Sequence, residues 1–99
     1  MQKKAPKSTM KKIEIPVERI TTPEELHEYL QDTFSFPDYY GMNLDALYDC
    51  LGEVAEKTQI IVSNSITDEE NLGEYGERFL AVLEAAAQDN EFIQLKITE

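Results

Sequence analysis

The residues of this sequence best suited to chemistry are Asp45 and Asp49, two carboxylates spaced four positions apart. On a helix this spacing places both side chains on one face, where two like charges cost about 0.2 to 0.5 kcal/mol. No Lys or Arg occurs between residues 20 and 56, a segment with nine acids, so no base offsets that cost. The pair therefore indicates selection for something other than helix stability.

Three interpretations of this acidic face stay open from the residues alone. The first is a solvated acidic surface without a partner. Asp45 then serves only to interact favourably with the positive end of the helix dipole, and such acidic surfaces are common in soluble proteins. The second is a metal-dependent hydrolase site in which Asp45 and Asp49 hold a cation, although two aspartates on one helix supply few ligands. Tyr39, Tyr40 and Tyr48 nearby favour a protein-binding patch, because aromatic side chains anchor interfaces and negative charge steers a basic partner.

Other patterns that carry chemistry are missing. The sequence has no phosphate loop, dinucleotide-binding fingerprint, nucleophile elbow or zinc-protease motif, so no cofactor and no metal are predicted. His27, the only histidine, lies between Glu24 and Glu28 and is predicted to be on the surface. Cys50 is predicted to be a structural thiol near the buried side of its helix. The aromatic residues predicted to pack in the core are Tyr29, Phe34, Phe79 and Phe92.

The composition describes one small acidic domain. The chain has 99 residues and a formal net charge of −11, and residues 13–99 alone carry −16 because five of the nine bases precede residue 13. Such a charge repels phosphate backbones and anionic lipids, which argues against nucleic-acid and membrane partners. A single cysteine cannot form an intramolecular disulfide, and no apolar run is long enough for a transmembrane helix. The sequence predicts a cytoplasmic protein.

The apolar residues predict six elements in the order strand, helix, helix, strand, helix, strand. Their predicted ranges are 13–17, 23–34, 44–51, 59–63, 77–89 and 93–98. Pro16 places the first strand at a sheet edge, while Thr22 and Asn43 are typical helix N-caps. Residues 64–76 are predicted to be a loop with a single turn at 67–70. Because strands separated by helices pair in parallel, we expect an α/β fold: a small three-stranded parallel sheet, order 1-2-3, packed with helices.

Residues 36–51 read FPDYYGMNLDALYDCL, and this block resembles the signature Y-Y-G-x-N-L-D-A-L-[WY]-D-C-L of the barstar family. Members of that family are intracellular inhibitors of secreted microbial ribonucleases such as barnase. The similarity extends more weakly from Met10 over most of the chain. It implies one inhibitor domain over residues 10–99 with a three-stranded parallel sheet, and it makes residues 1–9 a flexible basic extension. It also implies a protein that binds and is not an enzyme.

The resemblance further implies that the helix over 44–51 and the loop before it insert into the active-site cleft of a ribonuclease. Asp49 takes the place of an aspartate that mimics a substrate phosphate, and Asp45 that of a second acid facing the cleft. Tyr39 takes the place of an aromatic that packs against the active-site histidine. The complete set of implied partner-binding positions is Tyr39, Asn43, Asp45, Tyr48, Asp49 and Glu77.

The remaining positions of this set are carried over with some departures from the family pattern. Asn43 matches a polar contact at the helix start, Tyr48 an aromatic contact usually supplied by Trp, and Glu77 a peripheral acid. Met42 stands where a better-known member has Glu, and residues 52–55 lack an aromatic. We therefore expect a 1:1 complex with a small basic, guanyl-specific, extracellular-type ribonuclease. An immunity or interaction protein for a different basic toxin is the alternative.

Overall fold

Residues 10–99, the part of the chain that the computed structural model describes, form a three-stranded parallel sheet with three helices. The strands are β1 (Lys11–Glu14), β2 (Thr58–Ser63) and β3 (Ile93–Thr98), and the helices are α1 (Pro23–Phe34), α2 (Leu44–Leu51) and α3 (Glu74–Asp89). Two short 3₁₀ helices lie at Val17–Arg19 and Asn64–Thr67. No helix within the described range is long and apolar enough to cross a membrane.

The central strand β2 pairs in parallel with both neighbours, so the predicted α/β class and the order 1-2-3 are confirmed. Ile60 of β2 aligns with Ile13 of β1 and with Leu95 of β3. Ile60 and Val62 are almost fully buried, because the helices cover their face of the sheet. Each helix contributes fully or nearly fully buried side chains to the same core: Leu26, Leu30, Leu47, Leu51, Phe79 and Leu83.

Local capping determines where α1 and α2 begin, as predicted. The Thr22 hydroxyl accepts a hydrogen bond from the backbone N–H of Glu25 at 3.1 Å, and the Glu25 carboxylate accepts one from the backbone N–H of Thr21 at 2.8 Å. The first bond satisfies an N–H group that the first turn of a helix leaves free, and the second ties the residue before the cap to that turn. Helix α1 ends at Phe34, and the next residue, Ser35, adopts a left-handed conformation at φ 59°.

The first strand is shorter than predicted at its carboxyl end. It ends at Glu14, and Val17 lies in a 3₁₀ helix, although Ile15 and Val17 are still buried. The N–H of Ile15 donates to β2, whereas that of Val17, the next in this series, donates to the carbonyl of Ile15 at 2.8 Å, so the strand leaves the sheet there. Pro16 lies between them and faces the free edge, where no N–H is needed. At the other end Lys11 is already in β1, so the folded domain begins before residue 13. Residues 1–9, the predicted flexible extension, lie outside the described residues.

Helix α3 begins at Glu74, three residues before the predicted start at Glu77. Residues 64–76 were predicted to be a loop partly because Gly76 has a low helix propensity. In the fold Gly76 is buried against the carbonyl oxygen of Ile66, so a Cβ atom at this position would clash unless the backbone shifts. The first regular turn of the predicted loop is the 3₁₀ helix Asn64–Thr67, earlier than the predicted turn at 67–70.

The prediction that Phe92 packs in the core is wrong. Its side chain is 36% exposed, and Ile97 at the end of β3 is 39% exposed. Phe92 lies in the turn before β3, where its backbone N–H donates to the side-chain oxygen of Asn90 at 2.9 Å. This bond fixes the turn, and β3 is an edge strand with fewer neighbours to cover it.

Candidate functional site

The loop between α1 and α2 separates its two tyrosines, one outward and one inward. The backbone N–H of Tyr40 donates to the carbonyl of Pro37 at 2.9 Å and closes a turn. Tyr40 is buried, whereas Tyr39 is 87% exposed. Met42 follows in a left-handed conformation at φ 57°, which non-glycine residues rarely adopt. The turn therefore presents Tyr39 to solvent as a large apolar surface next to α2.

Asn43 joins this loop to α2. Its side-chain oxygen accepts a hydrogen bond from the backbone N–H of Ala46 at 2.8 Å, which caps the helix. Its side-chain nitrogen donates to the carbonyl of Gly41 at 3.1 Å, which braces the loop. Asn43 is exposed, so it can also meet a partner, but in the free chain both ends of its amide already have partners.

Asp45 and Asp49 lie on the exposed side of α2, opposite Leu47 and Leu51, which have no exposed surface. Within residues 10–99 the only ion pair joins Arg78 to Glu74 at 3.7 Å, and both of its side chains are exposed. Neither aspartate of α2 is therefore neutralised by a base of the described chain. Their charge is available to a cationic partner.

Tyr48, the aromatic predicted to contact the partner, is held against α3. Its hydroxyl donates a hydrogen bond to the carboxylate of Asp89, and this bond raises the pKa of Tyr48, so the phenol stays protonated at neutral pH. Tyr48 is 37% exposed and keeps part of its ring open to solvent. Asp89 is 41 residues away along the chain, and no periodicity in the sequence could have linked the two residues.

A groove runs between α2 and α3 and has a volume of about 520 Å³. The α2 wall carries two of the carboxylates and the aromatic side chain predicted to contact the partner, whereas the α3 wall is formed by small apolar side chains. The lining residues are Leu44, Asp45, Tyr48, Asp49, Ala81, Val82 and Ala85. The acidic and aromatic groups of α2 therefore border a shallow cleft whose second wall has room for side chains of a partner.

The remaining predicted acid, Glu77, lies beyond one end of this groove. The direction of the groove follows from a contact at its other end, where the side-chain nitrogen of Asn90, just after α3, donates to the carbonyls of Leu51 and Val54 at 2.9 Å each. The carboxyl ends of α2 and α3 are thus fixed together. Glu77 is exposed and lies one helical turn, about 6 Å, before Ala81, towards the amino end of the groove. The structure therefore brings Asp45, Tyr48 and Asp49 together, with Tyr39, Asn43 and Glu77 at the margin.

The prediction that His27 lies on the surface is wrong. The side chain has no exposed surface, and its two ring nitrogens lie 2.6 Å from the hydroxyl of Tyr40 and 2.7 Å from that of Tyr75. Burial lowers the pKa of His27, because the charged imidazolium is poorly solvated there. The helical wheel failed because the loop and α3 both fold over this side of α1.

Cys50 and the carboxylates of α2 are the other groups near this surface that could carry chemistry. Cys50 is half-buried, and burial together with the Glu53 and Asp49 carboxylates raises the pKa of its thiol, so little reactive thiolate forms at neutral pH. Within residues 10–99 no group of three or more His, Cys, Asp or Glu side chains could hold a metal ion. Asp45 and Asp49 as metal ligands therefore stay a hypothesis from the sequence.

The sequence matches known proteins over most of its length. The sequence model of the family described as "Barstar (barnase inhibitor)" matches residues 10–98. A protein of Bacillus subtilis (strain 168) with the name "Putative ribonuclease inhibitor YrdF" is 40% identical over 81 residues, which are 81% of this chain and 89% of that protein. The family match covers every strand and helix described above, including α2 and the loop before it. On this evidence the chain is a member of the barstar family.

Proposed function

We propose that this protein inhibits a small basic ribonuclease by placing α2 and the preceding loop in the active-site cleft of the enzyme. The observation that carries the proposal is the pair Asp45 and Asp49, exposed on one helical face and without a base to neutralise them. Family membership and the name of the B. subtilis relative support the ribonuclease as the partner. The guanyl-specific type of enzyme and the 1:1 complex are part of this proposal.

The proposed mechanism is mimicry of a substrate phosphate. A ribonuclease cleft that binds phosphates presents Lys, Arg and His groups, and carboxylates form charge-assisted hydrogen bonds with such donors. Asp49 is proposed as the carboxylate that reaches the phosphate site, with Asp45 beside it. Because α2 is capped by Asn43 and packed on the core, these carboxylates need little ordering on binding.

The aromatic residues are proposed to supply the apolar part of the contact. Tyr39 extends from the loop with 87% of its surface free, and a partner side chain that packs on it removes that surface from water. Tyr48, whose hydroxyl bonds to Asp89, presents the exposed part of its ring. Binding closes the cleft to RNA, so the inhibitor needs no chemistry of its own and is proposed not to be an enzyme.

A second candidate partner is a different basic toxin, and the α3 wall of the groove is the observation that favours it. That wall consists of Ala81, Val82 and Ala85, which carry no charge, and Met42 in the loop is also uncharged. A partner surface that faces these residues needs no basic group there. The choice between the two partners therefore depends on groups outside α2.

The proposal predicts that Asp49→Ala weakens inhibition by at least about 30-fold, because truncation of a central charged contact leaves buried cations of the enzyme unpaired. The measurement is the inhibition constant against barnase and a panel of small basic guanyl-specific ribonucleases. Asp32→Ala is the matched control, since Asp32 is also an exposed helical aspartate but lies on α1 beside a separate hollow.

We expect Asp32→Ala to change the inhibition constant less than about threefold. If the wild-type protein inhibits none of these enzymes at micromolar concentration, the ribonuclease proposal is wrong. Capture of a different basic protein by the wild type but not by Asp49→Ala would then favour the toxin. Equal inhibition by both aspartate variants would refute the role of Asp49.

A further inference from the structure

A buried polar cluster lies behind the proposed contact surface and takes no part in the mechanism above. It consists of the His27 ring and the hydroxyls of Tyr40 and Tyr75, each within hydrogen-bond distance of one ring nitrogen. Three separate segments meet in it: α1, the loop before α2 and the first turn of α3. A fully buried polar ring with both nitrogens satisfied is a specific connection, because a buried polar group left without a partner destabilises the fold.

Both segments tied to His27 carry an outer position of the proposed surface. Tyr40 directly follows Tyr39, and Tyr75 precedes Glu77 by two residues. Among residues 10–99 no hydrogen bond runs directly from the loop over 37–43 to the first turn of α3. The imidazole is therefore the polar link between the two margins of the surface.

The chemistry of the ring couples its two ends. In a neutral imidazole one nitrogen donates and the other accepts, so one tyrosine hydroxyl accepts a hydrogen bond while the other donates. Loss of either hydroxyl leaves one nitrogen unpaired and changes which tautomer the remaining tyrosine favours. A change at Tyr75 on α3 is thereby transmitted through the His27 ring to Tyr40 in the loop. The Tyr75 ring also packs edge-on against the imidazole, and the Tyr40 ring packs against it at a tilt.

We propose that His27 is a positioning residue that sets the loop carrying Tyr39 against the turn of α3 carrying Glu77. Both margins of the surface then meet the partner in one fixed arrangement. The part of this inference that concerns the partner rests on the proposed function, whereas the coupling between the two segments is a property of the free chain. The two parts can be tested separately.

The first test uses the free protein and the variant Tyr75→Phe, which removes one hydroxyl from α3 and keeps the ring. We expect amide hydrogen exchange about five- to tenfold faster at the loop amide of Tyr40 and at the amide of Ala46, which the loop residue Asn43 caps in the first turn of α2. This acceleration is the equivalent of one lost hydrogen bond. Tyr29→Phe is the matched control, since its hydroxyl donates to the carbonyl of Glu14 outside the cluster. It should leave the loop amides unchanged.

Faster exchange confined to the first turn of α3 in Tyr75→Phe would overturn the coupling. So would equal acceleration of the loop amides in Tyr29→Phe, because the loop would then respond to any loss of stability. These outcomes do not depend on whether a ribonuclease is inhibited.

The second test measures the inhibition constant in a double-mutant cycle. We expect Tyr75→Phe to weaken inhibition about five- to tenfold in the wild-type background and less than twofold in the Tyr39→Ala background. Equal effects in the two backgrounds would overturn the positioning of Tyr39 by His27. Absence of inhibition by the wild type would overturn the proposed function alone, and the exchange measurement would still decide the coupling.

Discussion

His27 makes the stability of this protein depend on pH below about pH 7. Burial lowers its pKa in the folded state, so below pH 6.5 the unfolded chain binds a proton that the folded chain does not. We therefore expect the free energy of unfolding to be unaffected by this residue above about pH 7. It should fall below that pH by at most about 1.4 kcal/mol per pH unit.

Urea denaturation at pH 7.5, 6.5 and 5.5 measures this loss, and an NMR titration of the ring identifies its source, because His27 is the only histidine. Glu25 contributes at lower pH: hydrogen bonds from Thr21 lower the pKa of its carboxyl group, so this contribution is lost only in stronger acid. A native-state ring that titrates at or above pH 6.5, or a constant stability between pH 7.5 and 5.5, would contradict the expectation.

Among the elements, α3 has a close backbone approach in its first turn. A Cβ atom built on Gly76 lies 2.3 Å from the carbonyl oxygen of Ile66, which is backbone and cannot rotate away. We expect Gly76→Ala to lower the free energy of unfolding by about 1 to 3 kcal/mol, the range for an overpacked site. Thermal and urea denaturation measure the change.

Gly52→Ala is the matched control for this prediction. Gly52 at the end of α2 has ordinary right-handed backbone angles, with φ −65°, and a Cβ there lies 3.4 Å from the nearest atom. Alanine should therefore be neutral or stabilise the protein by up to about 1 kcal/mol, since it restricts the unfolded chain more than glycine does. A Gly76→Ala protein as stable as Gly52→Ala would refute the importance of the contact.

The elements that could be predicted from the sequence are those whose ends are determined by local hydrogen bonds. Thr22 and Asn43 cap α1 and α2 at the predicted positions, and the apolar stripe of α2 correctly places Asp45 and Asp49 on the exposed face. The early start of α3 could not be predicted, because the glycine in its first turn packs against Ile66, a residue outside the helix.

Side-chain hydrogen bonds between residues distant in sequence were also missed, because they too depend on how separate elements pack together. His27 bonds to residues 13 and 48 positions away, and Tyr48 bonds to Asp89 at 41 positions. Helical periodicity assigns a face but does not identify what folds over it. The acidic face was predictable, whereas the bonds that brace its surroundings were not.

Over the whole molecule, the net charge is large and negative. Because Lys11 and Lys12 belong to β1, the described domain has 20 acids and six bases, a net charge of −14, somewhat less than expected for a body that begins at residue 13. Charges far from α2 cannot touch a partner bound there. They still contribute to the field that a basic protein meets during its approach.

This field predicts that salt acts mainly on the association rate. Between about 10 mM and 1 M salt the Debye length falls from about 30 Å to about 3 Å, so we expect association with a basic ribonuclease to slow by about ten- to a hundredfold, a size taken from steered pairs such as barnase and barstar. Dissociation should change much less. Stopped-flow kinetics over a salt series measures both rates.

Charge variants separate the distant field from the direct contact. The double variant Glu28→Gln with Asp32→Asn removes two exposed charges of α1, beside a hollow distinct from the groove. At low salt it should slow association by less than about threefold and leave dissociation unchanged, whereas Asp49→Ala should chiefly accelerate dissociation. An association rate indifferent to salt would show that the net charge has no role in recognition. Faster dissociation of the α1 variant would instead place α1 in the interface and enlarge the contact surface beyond α2 and its loop.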